Sequence, residues 1–281
     1  VSRRSSVTDA VRAQARALTG GIASDRDRLD ALAAFVGEKV RYLSLPLGSR
    51  RYEPRPAAEV LTSLYGDCKD KHTLLASLGA AIGLDIRPVL IHSSRDLVDE
   101  APSVIQFDHV VSLAHLADGS EVWVDTTAAV YPAGVLPPPL RGRPALVIDA
   151  APASRGRTAT RRVETPEDTG VANESEIRYS GTLAPSGLIT GTVAQTFRGD
   201  PAFALRLAVR QAGVQLFETV SRQMAADGRS DALAATEGSY NVRGTADRSA
   251  PMEVSYAGTK QIKPESMRKA WTFSPPVPPF R

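Results

Sequence analysis

"YGDCKDKHTLLASLG", Tyr65 to Gly79, contains the only cysteine of the chain, and its reading decides the fold. Gly66-Asp67 interrupts the preceding segment. Asp67 is suited to an N-cap with Asp70 in the first turn, and Leu74, Leu75, Leu78 and Ile82 recur at helical spacing until Gly83. Cys68 is therefore expected at the start of a helix. Unpaired backbone N–H groups and the positive end of the helix dipole stabilise a thiolate there. Lys69 and Lys71 act in the same direction, and Asp67 and Asp70 against it. A lone cysteine also suits a small core position. Residues elsewhere in the chain must separate nucleophile from core residue.

Working outward, Val7, Val11 and Leu18 predict one helix, stopped by Gly20-Gly21. Ser24 caps a second, which carries Leu29, Leu32, Ala33, Val36 and Val40 on one face. Pro56 opens a short third helix. Beyond Gly83 the period changes to that of strands: "DIRPVLIH", "FDHVVSLAH", "EVWVDTT" and, after a Pro-rich stretch, "PALVID". Helices first and then consecutive strands predict an α+β fold with an antiparallel sheet over residues 1–149. Residues 150–169 are rich in Ala, Pro, Thr and Arg and read as a linker. Residues 170–281 read as a small α+β domain, with a hairpin around Pro185-Ser186-Gly187 and a helix that Gly213 divides.

A thiol nucleophile needs a base, and the base needs an orienting acceptor. His109 lies in "FDHVV" and Asp125 in "WVDTT" on the next strand. A two-residue turn at Asp118-Gly119 would put them on opposite faces. A three-residue loop, Ala117 to Gly119, pairs Leu116 with Ser120 and Val111 with Asp125, so that His109 and Asp125 become diagonal neighbours on one face. Gly119 suits the left-handed position of such a loop.

Composition sets outer bounds. Hydrophobic residues make up 42% of the chain and the formal net charge is +3, a mild balance that gives no indication of a nucleic-acid partner. No apolar run reaches the ~20 residues of a membrane span. One cysteine excludes an internal disulfide and a Cys-rich zinc site. "VSRRSSVTDAV" lacks a signal-peptide core and an initiator Met, which reads as a piece of a longer protein.

"YGDCKDKHTLLASL", "FDHVVSL" and "DGSEVWVDTT" together resemble the bacterial transglutaminase-like superfamily, over about residues 30–149. The resemblance implies a papain-like α+β core with Cys68 as nucleophile, His109 as general base and acid, Asp125 as orienter, and an oxyanion hole that includes the Cys68 N–H. It implies no cofactor or metal, and there is no Asp-x-Asp-x-Asp-Gly loop to carry calcium. It further implies a peptide, protein or cell-envelope amide as substrate, a bacterial periplasmic or envelope setting, and a leading β-rich domain in larger relatives. Lys69 stands where animal transglutaminases have Trp.

Tyr42 and Tyr52 are candidates for substrate or oxyanion contacts, and Trp123 for the wall of an acyl-donor groove. His72 reads as a polar helix position, His92 and His115 as solvent-facing strand ends, and Asp108 as structural. The expected function is acyl transfer from an amide through a Cys68 thioester, to water rather than to an amine. The alternative is a non-catalytic member that binds a peptide or envelope component in the same groove.

Overall fold

The computed structural model describes residues 4–43, 52–98, 103–149, 159–226 and 233–262. The chain divides into two compact units, Val1–Gly170 and Val171–Arg281.

In the first unit α1 (Asp9–Thr19) and α2 (Asp25–Lys39) form a helical layer with α3 (Ala57–Ser63) and α4 (Cys68–Ala80). The Ser24 hydroxyl accepts from the Asp27 N–H at 3.0 Å, so α2 starts where its cap dictates. Two short strands, β1 (Arg41–Tyr42) and β2 (Tyr65–Gly66), pair in parallel just before α4. They fix the approach of the chain to Cys68.

The strands β3 (Asp85–Ile91), β4 (His109–His115), β5 (Glu121–Val124), β6 (Pro144–Asp149) and β7 (Ala159–Glu164) form one antiparallel sheet in the order β5-β4-β3-β6-β7. Helices and sheet share a core that includes Leu29, Leu32, Leu74, Leu78, Ile86 and Val124. A second cluster, with Val89, Val111, Leu113, Trp123, Leu136 and Leu140, is separate from it. Leu74, Leu75 and Leu78 are wholly buried. Each contributes about 1.5–3 kcal/mol, against about 1 kcal/mol for the Asp67 cap. Packing thus holds α4 against the sheet, and the cap sets where it begins.

The β4–β5 hairpin has the three-residue loop. His115 pairs with Glu121 and Ser112 with Val124, and the Leu116 N–H donates to the Ser120 carbonyl at 3.0 Å. Gly119 has φ +84°, which a side chain would disfavour.

The linker reading of residues 150–169 needs correction. Ala159–Glu164 forms β7, paired with β6 in register Ile148↔Thr160 and Leu146↔Arg162. Thr165 is buried, its hydroxyl donating to the Leu140 carbonyl at 2.6 Å. The segment has few apolar residues, and backbone pairing with an exposed sheet edge replaces side-chain burial as the source of its order. Residues 150–158 lie outside the described residues.

In the second unit β8 (Glu174–Leu183) and β9 (Leu188–Arg198) form the hairpin around Gly187. Helices α5 (Asp200–Ala212) and α6 (Val214–Ala226) follow, divided at Gly213, and then β10 (Ala234–Ala235), β11 (Asn241–Arg243) and β12 (Met252–Gln261). The sheet order is β10-β12-β9-β8, with β11 also on β12. Phe197, Ala202, Leu205, Met252 and Val254 form a core between α5 and the sheet. Both units are α+β. No helix among the described residues is long and apolar enough to cross a membrane.

Candidate active site

Cys68 is the first residue of α4 and is half-buried. The Asp67 carboxylate caps the helix, accepting from the Asp70 N–H at 3.2 Å, and also binds Lys69. Asp70 accepts from the Arg55 backbone N–H at 2.8 Å and pairs with its guanidinium at 3.2 Å. The two acids that flank the thiol are therefore each matched by a cation. Lys71 turns inward instead: it is 1% exposed, and its ammonium donates to the Gly37 carbonyl at 3.3 Å.

His109 opens β4, and Asp125 directly follows β5. His109 Nε2 lies 3.1 Å from Asp125 Oδ2. A carboxylate only accepts, so Nε2 carries the proton and Nδ1 is left for another partner. Cys68 lines the same cleft as His109, and its thiol acts on the imidazole by hydrogen bonding and by charge. The other carboxylate oxygen, Oδ1, accepts from the Thr127 N–H at 2.8 Å and the Thr127 hydroxyl at 2.7 Å.

Burial of His109 works against its charged form, but Asp125, by hydrogen bond and by charge, and then Cys68 outweigh it and hold the imidazole up at about 10. Burial likewise works to raise Asp125, and the bonds from His109 and Thr127 overcome it, so its carboxyl titrates below the usual range. The imidazolium form is thereby favoured at neutral pH.

Cys68 and His109 open on a cleft of about 550 Å³. Tyr42 and Tyr52 line it together with Cys68 and His109, as do Ile105 and Leu90. Trp123 does not. It is 8% exposed within the cluster of Val111, Leu113 and Leu140, so the groove-wall expectation is corrected to a core role. His72 is also corrected from a polar helix position: it is 2% exposed, with Nδ1 2.8 Å from the Ser112 hydroxyl, and burial pulls it down to about 3. His92 is buried rather than solvent-facing, its Nδ1 accepting from the Ser94 and Arg95 N–H groups at 3.1 and 3.0 Å. His115 is half-buried, 3.4 Å from Glu121. Asp108 accepts from the Ser93 N–H and hydroxyl at 2.9 and 2.7 Å, a turn-fixing role.

Residues 12–125 match the family profile of the transglutaminase-like superfamily. That stretch is similar to a transglutaminase-like domain. The matched segment of that domain ends on Asp125 and contains Cys68 and His109. Among solved structures, a candidate cysteine protease from Cytophaga hutchinsonii is 20% identical, with a TM-score of 0.34; the match covers 42% of this chain and 37% of that one. A candidate protease from Parabacteroides distasonis ATCC 8503 is 10% identical, with a TM-score of 0.40, over 93% of this chain and 51% of that one. The chain thus spans 37% and 51% of the lengths of these two structures. A search of curated proteins finds no match.

Two contributors to the domain's polar centre were missed in the sequence. Thr127 had a signal: Asp-x-Thr is the spacing at which an aspartate accepts from the backbone two residues on. Lys71 had none, because a lysine inside "KDK" reads as a solvated charge.

Proposed function

We propose that the protein is a cysteine enzyme that transfers an acyl group from an amide through a thioester on Cys68, with water as the usual acceptor. The observation that carries this reading is the chain of contacts from Cys68 through His109 to Asp125, with Nε2···Oδ2 at 3.1 Å. In the reaction the Cys68 thiolate attacks the carbonyl carbon, and the C=O electron pair moves to oxygen. The Cys68 N–H, an orphan donor at the helix start, is suited to receive that oxyanion. The tetrahedral species collapses, the C–N bond breaks, and the His109 Nδ1 proton passes to the leaving amine. Water then attacks the thioester as His109 takes its proton. The C–S bond breaks, releasing a carboxylic acid and restoring the thiolate–imidazolium pair. An amine in place of water would give transamidation by the same steps.

Asp125 serves by holding the ring tautomer and by stabilising the imidazolium. Tyr42 and Tyr52 on the cleft wall are suited to contact the substrate, which is a peptide, protein or cell-envelope amide. The direct test is mass spectrometry of the intact protein after incubation with a peptide and cell-wall library. An acyl adduct on Cys68, absent in Cys68→Ala and prolonged when water competes poorly, is expected. A protein that binds library members without any adduct would instead be a binding module of the same fold.

A further inference from the structure

Just beyond β3 two donors stand face to face. β3 ends at Ile91, which pairs with His109. His92 follows and is 4% exposed. Its Nδ1 accepts from the Ser94 and Arg95 backbone N–H groups at 3.1 and 3.0 Å. An imidazole whose Nδ1 accepts carries its proton on Nε2, which is then a donor. The Arg95 Nε lies 2.9 Å from that Nε2, and a guanidinium can only donate. Neither group satisfies the other. Both residues line the cleft that Cys68 and His109 share.

The acids nearby are occupied elsewhere. Asp108 Oδ2 lies 3.5 Å from Nδ1, the other ring nitrogen, and the two Asp108 oxygens take the Ser93 N–H and hydroxyl. Asp96 pairs with Arg143 at 3.4 Å. Asp67 is bound by Lys69, the other cation that lines the cleft. Arg95 thus has no carboxylate partner among the described residues. A carboxylate brought into the cleft would supply what is missing. It only accepts, it has two oxygens for two donors, and its charge matches that of the guanidinium.

We propose that Arg95 and the His92 Nε2–H form a carboxylate-binding subsite, so that the amide brought to Cys68 belongs to an acidic peptide. The inference rests on the reading of this cleft as the substrate site of Cys68, and it names the class of substrate. An acidic side chain and a chain terminus present the same group, and the test separates them.

Cys68, the only cysteine of the chain, serves as the reporter. Three iodoacetyl reagents of one shape are compared as labels of the folded protein. N-iodoacetyl-isoglutamine carries a side-chain carboxylate alone, N-iodoacetyl-glutamine a terminal carboxylate alone, and N-iodoacetyl-glutamine amide neither. Each charged reagent's rate is divided by the neutral reagent's rate on the same variant, so that changes in thiol reactivity cancel. Arg95 is exposed, so Arg95→Gln leaves the core untouched. For at least one charged reagent the ratio should be about fivefold higher in the wild type than in Arg95→Gln, the size of an exposed ion pair. The reagent that shows it identifies the source of the carboxylate. Equal ratios in the two proteins for both charged reagents would overturn the proposal, as would a thiol that none of the three labels. The labelling requires no acyl transfer, so failure of the enzyme reading, seen as the absence of an acyl adduct, is a separate outcome.

Discussion

His109, half-buried at the start of β4, and His72, buried in the first half of α4, hold opposite charge states. His109 is held up at about 10 and His72 is pulled down to about 3. Burial acts on both in the same direction. The partners differ: His109 faces the Asp125 carboxylate, and His72 faces the Ser112 hydroxyl. A hydroxyl satisfies a neutral ring and gives nothing back to a charged one, whereas a buried carboxylate reverses the sign of the environment. Within one packed unit, then, the charged neighbours decide whether burial wins.

The sharpest way to break this contrast is Asp125→Asn. His109 then keeps its burial and loses its main opposing force, so its titration should fall by several units, and turnover by about 10⁴-fold, as for the corresponding change in a serine triad. NMR of the histidine ring and a rate assay check the two effects. A normal rate per folded molecule would make Asp125 structural.

Next in size is His109→Ala. Alkylation of Cys68 in the folded protein at neutral pH should slow by about 10²-fold, the lower end of what a positioned acid–base group supplies. No other cysteine competes for the label. Equal rates with and without the imidazole would remove His109 from the site.

The two rings also bend the stability curve in opposite directions. As pH falls below about 6.5, the unfolded chain protonates His72 before the folded one does, so stability should drop by about 1.4 kcal/mol per pH unit towards the folded value of about 3. For His109 the folded form binds the proton more tightly. Its contribution is complete below about 6.5 and is lost as pH rises through the folded value of about 10. Denaturant melts across pH should show both slopes, and His72→Gln should flatten only the acid one. The smallest effect belongs to Thr127→Val, which removes one of the two bonds to Asp125 Oδ1 and keeps the backbone one. It should cost about 1 kcal/mol of stability, with a turnover loss well short of that in Asp125→Asn.

The β4–β5 register was legible because a strand alternates strictly and Gly119 marks one loop length over another. The start of α4 was legible because Asp67 is a strong cap. What lies along α4 was not. Residues Asp70 to Gly79 are all buried, since the helix packs against α1, α2, α3 and the sheet at once. "KDKH" announces an exposed turn, and neighbours far away in sequence cover it. That placement turned Lys71 inward and made His72 a neutral core residue. β7 was hidden for the opposite reason: "ATRRVE" carries little apolar signal, and its order comes from the edge of β6.

The burial of α4 on all sides has a consequence for time rather than for structure. Backbone amides in its central turns have no local route to solvent, so their hydrogen exchange should require opening of the whole first unit. The thiol at its N-terminus should therefore be carried by a slowly exchanging segment. Its position beside the imidazole should then persist for longer than the fraying of an ordinary helix end allows.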